Sequence, residues 1–381
     1  MDNYSTYNLS GIRFSVEYFL FGEEEFARMR AEEICVEQTI EFPPEFTSSD
    51  FIKDSIIGQI VSFIKVSDKK YSAIISYAIE ESGFNLPQLM NVIYGGISMK
   101  TGVRVNRLDF PKALLRVFKG PRFGVNGIRN LIGIEKRPLL LAVVKPMGAK
   151  LNDLANLAFQ YALGGIDIIK DDHGLANLSY CPFKERVLLC VDAIQKANNQ
   201  TRSKSLYFAC LTVPFGEILE AAFFAKSAGV DGLLILPGIV GMDTMRMLAE
   251  NDDLGLPIMY HPAFHGSYVM GTDYGFSKFS FFGQLMRIAG ADFSIFVNFG
   301  SRFSFSKDEC IDIARGCSYE MENIKSIFPT PGGGLTFNLL QEMIEVYDKN
   351  VVYLMGSGLF KRGPDIVKNC RELRTIVESI E

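Results

Sequence analysis

The sequence predicts an N-terminal α+β (ferredoxin-like) domain over residues 1–130 and a (β/α)8 barrel over residues 131–381. Three observations carry this. At 381 residues the chain is too long for one ordinary domain and suits two. From about residue 138, short apolar runs alternate with helical patterns eight times over. No GxGxxG follows the first of these runs, which argues against an open dinucleotide-binding sheet.

Before residue 130 the elements mix irregularly. Residues 11–20 read as a strand, because Ile12, Phe14, Val16 and Tyr18 alternate. Residues 23–34 read as a charged helix. Residues 57–66 and 71–79 read as two strands joined by Ser67-Asp68-Lys69-Lys70, and residues 86–94 as a helix. After residue 138 the expected strands are 139–144, 165–169, 206–211, 232–236, 256–260, 293–297, 324–328 and 351–355. Helices begin near Asn152, Pro182, Pro214, Gly241, Ser277, Ser306, Gly334 and Pro364. Continuous apolar strands joined by crossover helices imply a covered parallel sheet. Eight units in roughly 240 residues imply a closed barrel.

Composition narrows the partners. Hydrophobic residues make up 48% and the formal net charge is −5, so a large core forms and no basic field attracts nucleic acid or an anionic membrane. No apolar run reaches the roughly 18 residues of a spanning helix, and the first residues lack the pattern of a secretory signal. The seven cysteines are scattered without a CxxC, as expected for reduced, buried thiols in a cytoplasmic protein.

Barrels of this kind build their sites where strands end. The three histidines of the chain, His173, His261 and His265, all fall in segments that follow expected strands. Lys170-Asp171-Asp172-His173 follows the second run, and alternation points Lys170 and Asp172 the same way. That pair is either a salt bridge or part of a Mg2+ site. In the second case the lysine must first lose its positive charge, as by carbamylation with CO2, and His173 would be a ligand or proton donor. Lys145, closing the first run, is a candidate acid–base group or a pairing cation. Gly332-Gly333-Gly334 and Gly356-Ser357-Gly358 occupy the two loops where barrels commonly hold phosphate.

These residues resemble a known family. Gly164-Gly165-Ile166-Asp167-Ile168-Ile169-Lys170-Asp171-Asp172 is similar to the corresponding segment of the ribulose-bisphosphate carboxylase large chain. Lys145-Pro146 after Ala142-Val143-Val144 is similar to its first-strand motif, and Gly120-Pro121-Arg122-Phe123-Gly124 to its interdomain linker. Glu37 and Asn91 resemble N-terminal residues that complete the neighbouring subunit's site. The departures are as informative. His173 stands where the family has a glutamate ligand, Met147 where it has a second lysine, and Pro262 where it has an arginine. Gly332 replaces a serine, and Phe299-Gly300-Ser301-Arg302-Phe303-Ser304-Phe305 replaces a mobile loop that carries a catalytic lysine.

The chain therefore resembles the non-carboxylating, form IV or RuBisCO-like, branch. The resemblance implies enolate chemistry on a phosphorylated substrate rather than productive CO2 fixation. The segment Lys170-Asp171-Asp172-His173-Gly174-Leu175 favours a 3-oxo-isoapionate 4-phosphate decarboxylase or transcarboxylase/hydrolase. An isomerase or enolase of methylthioribulose-type phosphates is the alternative, and a non-catalytic ligand-binding barrel is a third reading. The expected site has Mg2+ on carbamylated Lys170, Asp172 and His173. Lys145 and His261 transfer protons, and Arg302, His265 and the two glycine loops meet the substrate. A homodimer is implied, with Glu37 and Asn91 contributed across it.

Overall fold

The computed structural model describes residues 9–301, 303 and 305–380. They form two compact units. The first contains the chain up to Lys119 together with His265–Leu285 and Glu320–Ile324; the second contains Gly120–Phe264, Met286–Tyr319 and the chain from Lys325 onward. The sequence places one division at residue 130, whereas these units divide after Lys119 and the first of them also draws on two later segments.

In the first unit, β1 (Arg13–Phe21), α1 (Glu24–Glu37), β2 (Gln59–Ser67), β3 (Lys70–Ala78), α2 (Leu86–Tyr94) and β4 (Val103–Asp109) build a sheet with helices. A two-residue strand from the later segment, Gly275–Phe276 (β10 in chain order), pairs parallel with β4 and gives the order β10-β4-β1-β3-β2. Phe14, Val16, Tyr18 and Leu20 are fully buried on alternate positions of β1. Sequence reasoning missed β4. Its register against β1 shifts at Glu17/Tyr18, so its buried residues Val103, Val105 and Leu108 break the period of two.

The second unit is the eight-stranded parallel barrel. Its strands are β5 (Leu139–Val144), β6 (Ile168–Asp171), β7 (Leu206–Cys210), β8 (Gly232–Ile235), β9 (Ile258–Tyr260), β11 (Phe293–Val297), β12 (Phe328–Gly332) and β13 (Val352–Met355). The ladder runs β12-β11-β9-β8-β7-β6-β5-β13. Leu141, Val143, Ile168, Phe208, Met259 and Leu354 belong to the cluster that fills it, and Val125, Ile128 and Ile132 of the helix Gly124–Ile132 pack into the same cluster.

The seventh barrel strand corrects the expectation of 324–328. It lies at Phe328–Gly332 and contains Pro329 and Pro331. Phe328 N–H donates to Asp292 O and Asn298 N–H to Gly332 O, so even-numbered positions face β11. In a parallel ladder the two prolines then face the other side, toward the seam with β13, which carries no ladder among the described residues. A strand that needs no N–H on that side tolerates both prolines, and the sequence pattern does not reveal it.

Among the described residues no helix is long and apolar enough to cross a membrane. All seven cysteines are buried, and none forms a disulfide among the described residues.

Candidate active site

The interior of the barrel changes chemistry near the ends of its strands. Val143, Ile168 and Met259 belong to the apolar fill. Two residues further along the same faces stand Lys145, Lys170 and His261. Alternation therefore replaces apolar side chains by cations and imidazole over a single step.

Asp171 turns the opposite way. Its carboxylate accepts from Arg186 Nε at 3.1 Å, Tyr207 Oη at 2.8 Å and Cys210 N–H at 3.0 Å, all within the buried wall. This ties β6, β7 and the helix Phe183–Thr201 together and leaves Asp171 no part in the mouth.

Lys170 is only 2% exposed, and its Nζ donates to Asp171 O at 2.9 Å. Burial lowers its pKa, nearby Lys145 adds to that, and Asp172 opposes it. A buried amine with a depressed pKa offers its neutral form for reaction with CO2. Burial works against charge on Asp172, yet the His173 hydrogen bond, the Gly174 N–H and Lys170 together hold that carboxyl well below its usual range. His173 Nδ1 lies 3.2 Å from Asp172 Oδ1. Its ring stacks on His261, with centroids 4.4 Å apart and planes at 17°. Burial, Lys170 and His173 keep His261 well below the usual imidazole pKa, so it is neutral near pH 7. Its Nδ1 accepts the Ala263 N–H at 3.2 Å, which leaves the proton on Nε2.

Lys145 joins this group from another direction. A Cβ on Gly356 would stand 3.0 Å from Lys145 Nζ, so the amine lies against the first glycine after β13. The remaining expected residues fall into distinct settings. Gly332 is a strand residue with its carbonyl occupied, not part of a free loop. Gly333 and Gly334 follow with φ of 95° and 107°, a backbone that favours glycine. Ser357 is exposed and opens the short helix Ser357–Arg362. Gly358 packs against backbone, where a Cβ would be 2.1 Å from Leu335 O, so close packing is enough to require glycine there. Arg302 lies outside the described residues.

Glu37, Asn91 and His265 belong to the first unit. Glu37 and Asn91 meet at one turn: a Cβ on Gly96 would lie 3.0 Å from Glu37 Oε1, and one on Gly95 would lie 2.3 Å from Asn91 Oδ1. Gln38 fixes that turn by donating to Asn91 O and Val92 O and accepting from Ile97 N–H. His265 is buried beside Tyr268 and Phe281, with ring centroids at 5.6 and 4.9 Å. It thus shares neither the stack nor the compact unit of the other two histidines. Sequence reasoning passed over Cys210 and Asn298. Cys210 Sγ approaches His173 O at 3.6 Å. Buried Asn298 accepts from Tyr347 Oη at 2.6 Å. Their positions at the ends of β7 and β11 were the available signal.

No group of three histidine, cysteine or carboxylate side chains converges on a metal position among the described residues. Asp172 and His173 therefore reach a three-donor set only with a carbamate on Lys170. The buried, pKa-lowered amine beside an ionised Asp172 fits that requirement.

Fold and site together define a (β/α)8-barrel protein with a lysine–carboxylate–imidazole cluster at the strand ends. The model of the ribulose bisphosphate carboxylase large chain, catalytic domain, matches residues 124–378. The chain belongs to that family. It is similar to a solved Rubisco-like protein from Rhodopseudomonas palustris, with a TM-score of 0.87 and 27% identity, covering 96% of this chain and 97% of that one. It is 31% identical to 5-methylthioribulose-1-phosphate isomerase of Rhodospirillum rubrum over 87% of both chains. It is also 31% identical to 2,3-diketo-5-methylthiopentyl-1-phosphate enolase of Geobacillus kaustophilus, over 80% of this chain and 74% of the relative.

Proposed function

We propose that this protein is an enzyme that makes and reprotonates an enolate on a phosphorylated ketone, acting as a homodimer. The observation that carries this is the convergence of Lys170, Asp172, His173 and His261, with Lys145 beside Gly356. A divalent cation, Mg2+ in the sequence-based expectation, would be held by carbamylated Lys170, Asp172 and His173. When bound it supplies Lewis-acid stabilisation of developing negative charge.

The chain's own groups do the rest. His261 keeps its proton on Nε2, where it would be offered to an oxygen of the bound substrate. Lys145 is the half-buried amine next to Gly356 and exchanges a proton with the carbon centre. Gly333, Gly334 and Gly356, together with Arg302, are the candidates to hold the phosphate. Loss of CO2 from a β-keto acid and loss of a proton from a ketose leave the same kind of enolate, so one site supports either reaction.

Two substrate classes follow. The segment from Lys170 to Leu175 supports decarboxylation or transcarboxylation/hydrolysis of a 3-oxo-isoapionate 4-phosphate. The names of the relatives support a methylthio-substituted phosphate handled by isomerisation or enolisation. Two apolar groups also favour the second class. Met147 packs on Gly174, where a Cβ would be 2.3 Å from its sulfur, and Phe303 packs on Gly333 at 3.1 Å by the same measure. Turnover of both classes by the bicarbonate- and metal-loaded enzyme decides between them. CO2 release from the sugar-acid phosphate identifies the first. Isomerised or enolised methylthio phosphate identifies the second. Inertness toward both, with ligand binding retained, would leave a binding barrel.

A further inference from the structure

We propose that Tyr347 is a positioning residue for the glycines Gly333 and Gly334, and that it acts on them through Asn298. This rests on the reading that those glycines meet the phosphate of the substrate.

The ladder between β11 and β12 closes at Asn298. Its N–H donates to Gly332 O at 2.9 Å. Gly333 and Gly334 follow at once, with φ of 95° and 107°. The side chain of Asn298 is fully buried. Its Nδ2 donates to Phe299 O at 2.9 Å, which fixes the orientation of the amide. Tyr347 Oη then donates to Oδ1 at 2.6 Å. The Tyr347 ring is buried beside Phe296 and Phe299, with centroids at 6.2 and 6.5 Å.

This link reaches the glycines by two routes. One runs along β12 through Gly332 O. The other runs through the residues after Asn298. A Cβ on Gly300 would stand 3.1 Å from Leu339, and a Cβ on Gly333 would stand 3.1 Å from the Phe303 ring and 3.5 Å from Ser301 Oγ. Leu339 lies in the helix Phe337–Val346, and Tyr347 directly follows that helix. The helix after the glycines thus holds the end of β11 from both of its own ends. Backbone N–H groups address an anion only while the segment that carries them keeps its shape. Without the Tyr347 hydroxyl, Asn298 Oδ1 is a buried acceptor that has lost this donor. Asn298 must rearrange, and both routes to the glycines loosen.

The test uses the full-length protein grown with glycine labelled at its nitrogen and carbonyl carbon. A spectrum that requires a labelled preceding carbonyl selects the amides of Gly96, Gly165, Gly333 and Gly334, because each follows another glycine. Inorganic phosphate is the probe. In wild type it should shift Gly333 and Gly334 and leave Gly96 and Gly165 in place. Tyr347→Phe keeps the ring and removes only the hydroxyl, and it should weaken phosphate binding about fivefold or more. Asn298→Ser breaks the same link from its other end and should give a similar loss. The double variant should be no weaker than the worse single one, because both act through one contact. Undiminished phosphate affinity in Tyr347→Phe, or losses that add in the double variant, overturns the proposal while the phosphate reading stands. No response of Gly333 and Gly334 in wild type removes the phosphate reading, and the proposal with it.

Discussion

Asp171 and Asp172 are neighbours in sequence and face opposite sides of the barrel wall. The first meets the fully buried guanidinium of Arg186 at 3.1 Å, and the second meets His173 at 3.2 Å. Their substitutions should separate cleanly. Asp171→Asn leaves a buried cation without its counter-charge and should cost about 3–5 kcal/mol in urea denaturation. Asp172→Asn keeps an acceptor for the Gly174 N–H and should cost less stability than Asp171→Asn, while lowering turnover at least about a hundredfold. Equal effects of the two on stability would contradict the division of roles.

The two glycines around Ser357 should also differ. Gly356→Ala places a methyl group 3.0 Å from Lys145 Nζ, which must move. Turnover should fall about tenfold or more with the melting temperature nearly unchanged. Gly358→Ala drives a methyl group to 2.1 Å from Leu335 O and should destabilise the barrel by about 1–3 kcal/mol. Thermal melts and steady-state kinetics on both variants check this pair.

Much of this was legible in the sequence, because the relevant periodicities are short. Strands β5 and β11 occur at the predicted residues, since continuous apolar runs need no partner information. The Lys170–Asp172 alternation was visible for the same reason. What escaped depends on contacts distant in sequence. Pro329 and Pro331 are tolerated only because they face the open seam of the barrel. The strand Gly275–Phe276 exists only because β4 offers it an edge. His265 follows an expected strand just as His261 does, but the chain turns between them and His265 packs with Tyr268 and Phe281.

His265 should act as an acid-sensitive element of the first unit. Burial brings its pKa down from 6.5 to about 4. The folded state therefore holds it neutral, while the unfolded chain takes up the proton first. Its contribution is complete above about pH 6.5 and is lost as the pH falls toward 4, on the order of 3 kcal/mol in all. His265→Phe should flatten the stability–pH slope across that window. An unchanged slope in chemical denaturation at pH 4 to 7 would contradict this.

The proposed dimer can be checked by complementation. Glu37→Ala and Lys170→Ala should each be inactive alone. If sites are shared between subunits, mixed dimers contain one intact site, and activity should return to at most about a quarter of wild type. Verified heterodimers that stay inactive would mean that each site is built within one chain.

Enolate formation at the Lys170–His173 cluster is tested most directly by deuterium exchange. The metal- and bicarbonate-loaded enzyme is incubated in D2O with each phosphorylated ketone, and exchange at the carbon beside the carbonyl is followed by NMR. Wild type should introduce deuterium into at least one substrate or its product, and Lys170→Ala should introduce none. No exchange by wild type with any of them, or undiminished exchange by Lys170→Ala, would contradict the assignment of this cluster as the catalytic centre.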